Sequence, residues 1–222
     1  MNSAFPHSDY SDLRLEMVAA QLRARGIGDE RVLEAMTRVP RHEFTPEPYR
    51  EQAYEDHPLP IGEGQTISQP YIVGSMLEAL ALKASDKVLE VGTGSGYVTA
   101  LLGELAGHVV SIERHASLAD GARQLLSAMG YQNVRVMTGD GSAGLAECAP
   151  YDKIIVSAAA PQLPPALVDQ LAEGGRMIVP VGREDARQLQ LVEIRDGQPQ
   201  TILRELCRFV PLVSDGTERA DG

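Results

Sequence analysis

The chain has 222 residues, with 20 Lys and Arg against 31 Asp and Glu, for a formal net charge of −11. That length suits one α/β domain with a short extension, and the acidic balance argues against a phosphate-backbone partner, because nucleic-acid binding needs a basic face. No run approaches the roughly 18 consecutive apolar residues of a membrane span, and Met1 to Asp9 lacks the basic region and apolar core of a secretory signal.

The predicted elements begin with a helix. Leu13, Met17, Ala20 and Leu22 share one face, ended by Gly26. Asp29 is placed to cap a second helix with Val32, Leu33 and Met36 inward, stopped before Pro40. The stretch 41–69 follows, long and irregular, with Pro46, Pro48, Pro58, Pro60, Gly62 and Gly64. Loops of that length are disordered or functional. Phe44, Tyr49, Tyr54, Leu59 and Ile61, spread through it, favour function. Pro70 takes the first position of a helix whose inner face carries Ile72, Val73, Met76, Leu77 and Leu80.

From Lys87 the alternation is regular. Strands are expected over 88–91, 109–112, 134–138, 153–157 and 177–181, with helices near 97–106, 116–129 and 164–171. Strand, helix, strand in succession implies an α/β fold with a doubly wound, mostly parallel sheet. Strands over 188–195 and 201–210 flank Asp196-Gly197, a turn signal for a closing antiparallel hairpin. The expected division is an N-terminal helical extension with a loop over 1–69, the main domain over 70–213 and a polar, flexible tail over 214–222, in one compact unit. Cys148 and Cys207 are too few for a disulfide framework and read as buried or incidental thiols in a reducing cytoplasm.

The chemistry concentrates in Val88-Leu89-Glu90-Val91-Gly92-Thr93-Gly94-Ser95-Gly96-Tyr97. A buried strand, a tight glycine turn and a helix start put backbone beside a nucleoside at the carboxyl end of a parallel sheet. The dinucleotide pattern would need a third glycine at position 97, which is Tyr97. The glycines alternate instead, after the acid Glu90, and this resembles the first motif of S-adenosylmethionine-dependent methyltransferases. Glu90 is then a candidate to orient the glycine loop or to meet the cofactor's amino group indirectly. Glu113 ends the second strand, about 20 residues beyond the turn, where an acid accepts ribose hydroxyls; the alternative is a solvated strand-end acid. Asp140, between Gly139 and Gly141, suits the adenine amino group, with the Gly141 N–H offered back; the alternative is a plain turn. His108 and His115 have no partner at metal or triad spacing and read as structural or exposed, so no metal is expected. The small residues Ser157-Ala158-Ala159-Ala160 at the exit of the fourth strand would let a substrate approach closely; the alternative is tight packing alone.

Gly64-Gln65-Thr66-Ile67-Ser68-Gln69-Pro70-Tyr71, ahead of that unit, resembles the protein-L-isoaspartate (D-aspartate) O-methyltransferase family. So do Tyr54-Glu55-Asp56-His57-Pro58-Leu59-Pro60-Ile61-Gly62 upstream, Gly139-Asp140-Gly141, the Ala-Ala-Ala-Pro exit at 158–161, Val179-Pro180-Val181-Gly182, and Arg208-Phe209-Val210-Pro211-Leu212. The resemblance covers nearly the whole chain, in family order. It implies a methyltransferase fold and methylation, by S-adenosyl-L-methionine, of the free α-carboxylate of L-isoaspartyl residues in aged proteins and peptides, with S-adenosyl-L-homocysteine as product. The ester then collapses to a succinimide, whose hydrolysis returns some normal aspartate.

The resemblance further implies Ser68 as the active-site serine. It puts Thr66, Ile67, Glu90, Gly92, Thr93, Gly94, Ser95, Gly96, Glu113, Arg114, Asp140, Gly141 and Gln188 at the cofactor, and Asp56, Pro58, Ile61, Gln65, Ala159, Val210 and Pro211 at the substrate. The expected partners are isoaspartyl proteins and peptides, with no nucleic acid or membrane, and the expected state is a cytoplasmic monomer. Taken alone, Ser68 is also a candidate helix cap. Two departures bear on substrate preference. Ser142 stands where many relatives carry an aromatic residue, and Glu63 puts an acid in the substrate loop, expected to disfavour acidic residues flanking the target.

Overall fold

The computed structural model describes residues 10–182, 187–206 and 209–212. Cys207, Arg208 and the expected tail lie outside these residues.

The N-terminal helix α1 (Tyr10–Glu16) runs on through a π-helical turn, Met17–Leu22, and a 3-10 turn, Arg23–Arg25, before ending at Gly26. Helix α2 (Glu30–Arg38) starts at Asp29, whose carboxylate accepts from the N–H groups of Arg31 and Val32 as the sequence predicts. Its buried residues Val32, Leu33, Ala35 and Met36 recur at helical spacing. The stretch 41–69 is more ordered than expected. It holds 3-10 turns at Arg41–Phe44 and Glu47–Gln52, then an antiparallel hairpin of β1 (Leu59–Gly62) and β2 (Gln65–Ile67). Strands of four and three residues with Pro60 inside leave almost no alternation to read. Helix α3 (Pro70–Leu80) begins on its proline.

The rest alternates: β3 (Lys87–Val91), α4 (Tyr97–Leu105), β4 (His108–Glu113), α5 (Ala116–Ala128), β5 (Val134–Thr138), β6 (Tyr151–Val156), α6 (Pro165–Val168) and β7 (Leu171–Val181). The hairpin β8 (Gln188–Arg195) and β9 (Gln198–Leu206) follows, turning through Asp196 and Gly197 with φ of 54° and 70°. The seven strands β3 to β9 form one sheet in the order β5-β4-β3-β6-β7-β8-β9. The first five pair in parallel; β8 and β9 join antiparallel. Two expected boundaries move. Helix α6 is one short turn, because Leu171 already pairs with Tyr151 and opens a long, bulged β7. Strand β9 is described to Leu206, and the chain meets the sheet again where Pro211 bridges Ala159.

Alternating strand residues feed two apolar layers. Val88, Val109, Val136, Ile155 and Ile178 pack with α3, α4 and the N-terminal helices. Leu89, Val91, Ile112, Ile154, Val156, Met177 and Val179 pack on the α6 side. Met17, Leu22, Leu33 and Met36 share the first cluster with the sheet, so the N-terminal segment and the α/β unit bury one continuous core.

Strand order reverses between β3 and β6, where the chain first winds outward through β4 and β5 and later returns to β6. At that point the crevice beyond the strand ends is the place where open α/β sheets bind ligands.

Candidate active site

A cleft of about 800 Å3, its open mouth included, lies at that reversal. Its floor comes from strand ends. Gly92 N–H donates to Ile112 O at 2.8 Å and Ser157 N–H to Val91 O at 2.8 Å, which carries the ladders of β3 with β4 and β6 up to the glycine turn. Gly94, with φ of 54°, turns in the left-handed region. A Cβ there would stand 3.2 Å from Ile61 Cδ1 of β1, so the hairpin rests directly on the turn.

Glu113 is nearly buried at the end of β4 and lines the cleft. Its Oε2 accepts from Gly94 N–H at 2.9 Å and its Oε1 from His115 N–H at 2.9 Å. Two backbone donors fix the carboxylate, and each oxygen keeps a second lone pair for a ligand hydroxyl. This fits a ribose diol and argues against a freely solvated acid.

The opposite wall is β2 with the start of α3, contributing Gln65, Thr66, Ile67 and Ser68. The N-cap of α3 is Gln69, with no side-chain capping bond, so Ser68 is not the cap. Asp56 serves that end instead. Its Oδ1 accepts from Tyr71 N–H at 3.1 Å, and its Oδ2 from the Gln69 amide at 2.7 Å and from the Arg25 guanidinium. Ser68 therefore stands in a turn clamped on its C-terminal side, with its hydroxyl not spent on the helix.

The Glu113 carboxylate beside the glycine turn, in a cleft at the reversal of the sheet, fits a nucleoside. The comparisons with known proteins agree. A family model described as protein-L-isoaspartate (D-aspartate) O-methyltransferase matches residues 14–217. The chain belongs to that family. A Koribacter versatilis protein-L-isoaspartate O-methyltransferase is 57% identical over 91% of each chain. One from Methanoculleus marisnigri is 54% identical over 90% of this chain and 91% of that one. A Plasmodium falciparum chain described as a protein-L-isoaspartate O-methyltransferase, solved with S-adenosyl-L-homocysteine, superposes with a TM-score of 0.80 at 26% identity, over 90% of this chain and 98% of that one.

Of the positions that the family resemblance named, Gln65, Thr66, Ile67, Ser68, Gly92, Thr93, Gly94, Ser95, Glu113, Arg114, Gly141, Val210 and Pro211 line the cleft together. Others sit elsewhere, for identifiable reasons. Gly96 caps α4, where a Cβ would stand 3.2 Å from Ala122 Cβ of α5, so its role is helix packing. Asp140 accepts from Ser142 N–H at 2.8 Å and starts a 3-10 turn, leaving Gly141 at the cleft. Gln188 opens β8 opposite Val181, away from the lining residues. Asp56 clamps α3, Pro58 is exposed, and Ile61 leans on Gly94. Ala159 is buried, with its N–H donated to Val210 O at 2.7 Å and its carbonyl accepting from Leu212 N–H at 2.7 Å. It holds Val210 and Pro211 in place.

Glu90 lies wholly buried on the α4 side of β3 and is not a lining residue. Its Oε2 accepts from Thr99 Oγ1 at 2.5 Å and Ser111 Oγ at 2.7 Å, and Ser111 Oγ also meets Thr93 Oγ1 of the glycine turn at 2.5 Å. Burial pushes its carboxyl up to about 8, with Glu113 adding to the rise and the two hydroxyl donors opposing it. Glu90 thus supports the turn from below through Ser111 and Thr93.

Sequence reasoning did not name Val91, Tyr97, Val98, Ile112, His115 and Leu212 as lining residues, whereas Ser157 and Ala158 fall in the small-residue exit that it singled out. His115 carried a usable signal, since it directly follows the Glu113-Arg114 strand end. Among the described residues no cluster of His, Cys, Asp or Glu is placed to hold a metal. No helix among them is long and apolar enough to cross a membrane.

Proposed function

We propose that this chain methylates the free α-carboxylate of L-isoaspartyl residues in aged proteins and peptides, using S-adenosyl-L-methionine. The observation that carries the reading is the family match over 14–217 together with Ser68 and Glu113 on opposing walls of one cleft. When bound, S-adenosyl-L-methionine supplies a methyl group on a sulfonium centre. The chain's own residues would then bind, orient and exclude water. Glu113 accepts the ribose hydroxyls, and the glycine turn brings backbone close to the amino-acid tail. Thr66 and Ile67 close the cleft over it.

The acceptor is a carboxylate, already ionised near neutral pH, so the chain needs no strong general base. Opposite charges are partly neutralised in the transition state, and a water-poor cleft that holds them in contact helps most. The Ser68 hydroxyl donates to the substrate carboxylate and orients it. The N-terminal end of α3, eleven residues long, adds a favourable dipole for the same anion. Gln65, Val210 and Pro211 flank the approach of the peptide. The same reading includes action as a monomer on protein substrates. Few cysteines, Cys148 among them free, support a reducing cytoplasm.

The test is incubation with methyl-labelled S-adenosyl-L-methionine and matched isoaspartyl, aspartyl and asparaginyl peptides. Base-labile label on the isoaspartyl peptide alone is the expected result. Equal labelling of the aspartyl peptide, or no labelling of any, would overturn it.

A further inference from the structure

The tip of the β1–β2 hairpin is Gly62-Glu63-Gly64, and all three residues have positive φ, with Glu63 at 51°. A glutamate in that conformation is uncommon, because its Cβ crowds the backbone. Such strain persists where surrounding contacts hold it. Here they do: Glu63 Oε1 accepts from Ser117 Oγ at 2.7 Å, and Oε2 lies 3.8 Å from His115 Nδ1. Both partners belong to the start of α5, across the cleft from β2.

Helix α5 has no acid of its own in its first turn. Glu63 brings one there from the hairpin, where the positive end of a 13-residue helix favours it. Beneath this contact Ile61 leans on Gly94, while β2 and His115 line the same cleft. The hairpin is therefore fastened on both sides of the nucleoside site: at its base by the chain running into α3, and at its tip by Glu63. The acid that the sequence singled out in this loop is thus engaged with α5.

We propose that Glu63 is a positioning residue for methyl transfer, its clasp on Ser117 and His115 holding the β1–β2 hairpin over the cleft so that nucleoside ligands exchange only when the clasp opens. The inference rests on the reading that the cleft takes S-adenosyl-L-methionine and its demethylated product.

The experiment follows S-adenosyl-L-homocysteine on full-length wild type, Glu63→Asn, Glu63→Gln and Ser117→Ala, by surface plasmon resonance, with melting temperatures on the same preparations. Asn tolerates the left-handed conformation but is one methylene too short for the clasp. Glu63→Asn and Ser117→Ala should release the ligand about three- to ten-fold faster, as loss of a partly exposed charge-assisted bond predicts. Glu63→Gln, which keeps an acceptor for Ser117, should fall between them and wild type. Melting temperatures should stay near wild type, since the left-handed tip is accommodated in each variant. Unchanged release from both Glu63→Asn and Ser117→Ala would overturn the clasp while leaving the cofactor reading intact. Failure of wild type to bind the ligand at all would overturn that reading, and the clasp with it.

Discussion

The floor and the roof of the cleft are held by different kinds of bond. The floor is backbone: β3, β4 and β6 pair in parallel, and the Gly92 and Ser157 N–H groups continue their ladders to the rim. The roof is a seven-residue pair of short strands with a register shift between Pro60 and Gly62. So small a hairpin is not stable alone. Side chains fix it instead: Glu63 on Ser117, Asp56 on Arg25 and Gln69, Gln21 Nε2 on Tyr54 O and Arg41 Nε on Ala53 O. A backbone-built floor keeps nucleoside binding insensitive to most side chains. A side-chain-built roof places the acceptor's recognition under single residues.

The floor has one point where a side chain does carry binding, and there the contrast should break. Glu113→Ala removes the acceptor for the ribose and leaves the N–H groups of Gly94 and His115 without their partner. Hydrogen bonds to a charged group are worth about 1.5–3 kcal/mol each. Cofactor affinity should fall roughly 100-fold or more, measured by calorimetric titration, and turnover should fall with it at fixed cofactor. An unchanged dissociation constant in a folded variant would show that the backbone alone binds the nucleoside.

On the roof, Ser68→Ala should separate acceptor from cofactor. Because Gln69 is the N-cap of α3, the substitution removes no cap, and melting temperature should stay within about 1 °C of wild type, far below the shift that loss of a cap produces. Peptide kcat/KM should drop about 10- to 100-fold, from a charge-assisted bond of roughly 1.5–3 kcal/mol, with cofactor affinity nearly unchanged. Full activity would remove Ser68 from the catalytic machinery.

The same contrast explains what the sequence disclosed. Strands β3, β4 and β6 read well because their apolar runs are buried and bounded by turn residues; the edge strand β5, with only Val136 buried, still matches 134–138 to the residue, its bounds set by Gly130 before it and Gly139 after it. The glycine turn and Glu113 read well because local spacing fixes their place at the rim. The hairpin did not, since its strands are too short to show alternation and it rests on the glycine turn and α5, far along the chain. Asp56 was assigned to substrate for a related reason. Its neighbours Arg25, Gln69 and Tyr71 are 31, 13 and 15 residues away, and only the fold shows that its oxygens are occupied. Ser68 was read with a cap and a catalytic role both open, and the structure withdraws the cap.

Glu90 sharpens the comparison from the floor's hidden side, with the smallest effect on catalysis. Its carboxyl is raised from 4.5 to about 8, chiefly by burial, so the folded protein holds a proton there that the unfolded chain releases. The sign follows from linkage: between those values the native state binds more protons, and stability falls as pH rises. The contribution is fully present below pH 4.5, declines toward about 8, and is flat above it. Each unit of displacement corresponds to about 1.4 kcal/mol. Glu90→Gln is the neutral isostere of the protonated form: its amide oxygen can still accept from Thr99 and Ser111, and the support of Thr93 through Ser111 is kept. Urea unfolding at pH 6 and pH 8 should show the variant gaining on wild type as pH rises, by about 1 kcal/mol or more across that interval. Cofactor affinity should remain within about two-fold, because Glu90 acts beneath the turn and not on the ligand. A parallel pH dependence in variant and wild type would mean that Glu90 is ionised in the folded state and that burial does not govern it. A large loss of affinity would mean that the charge itself reaches the nucleoside site, and that the floor, too, depends on side chains.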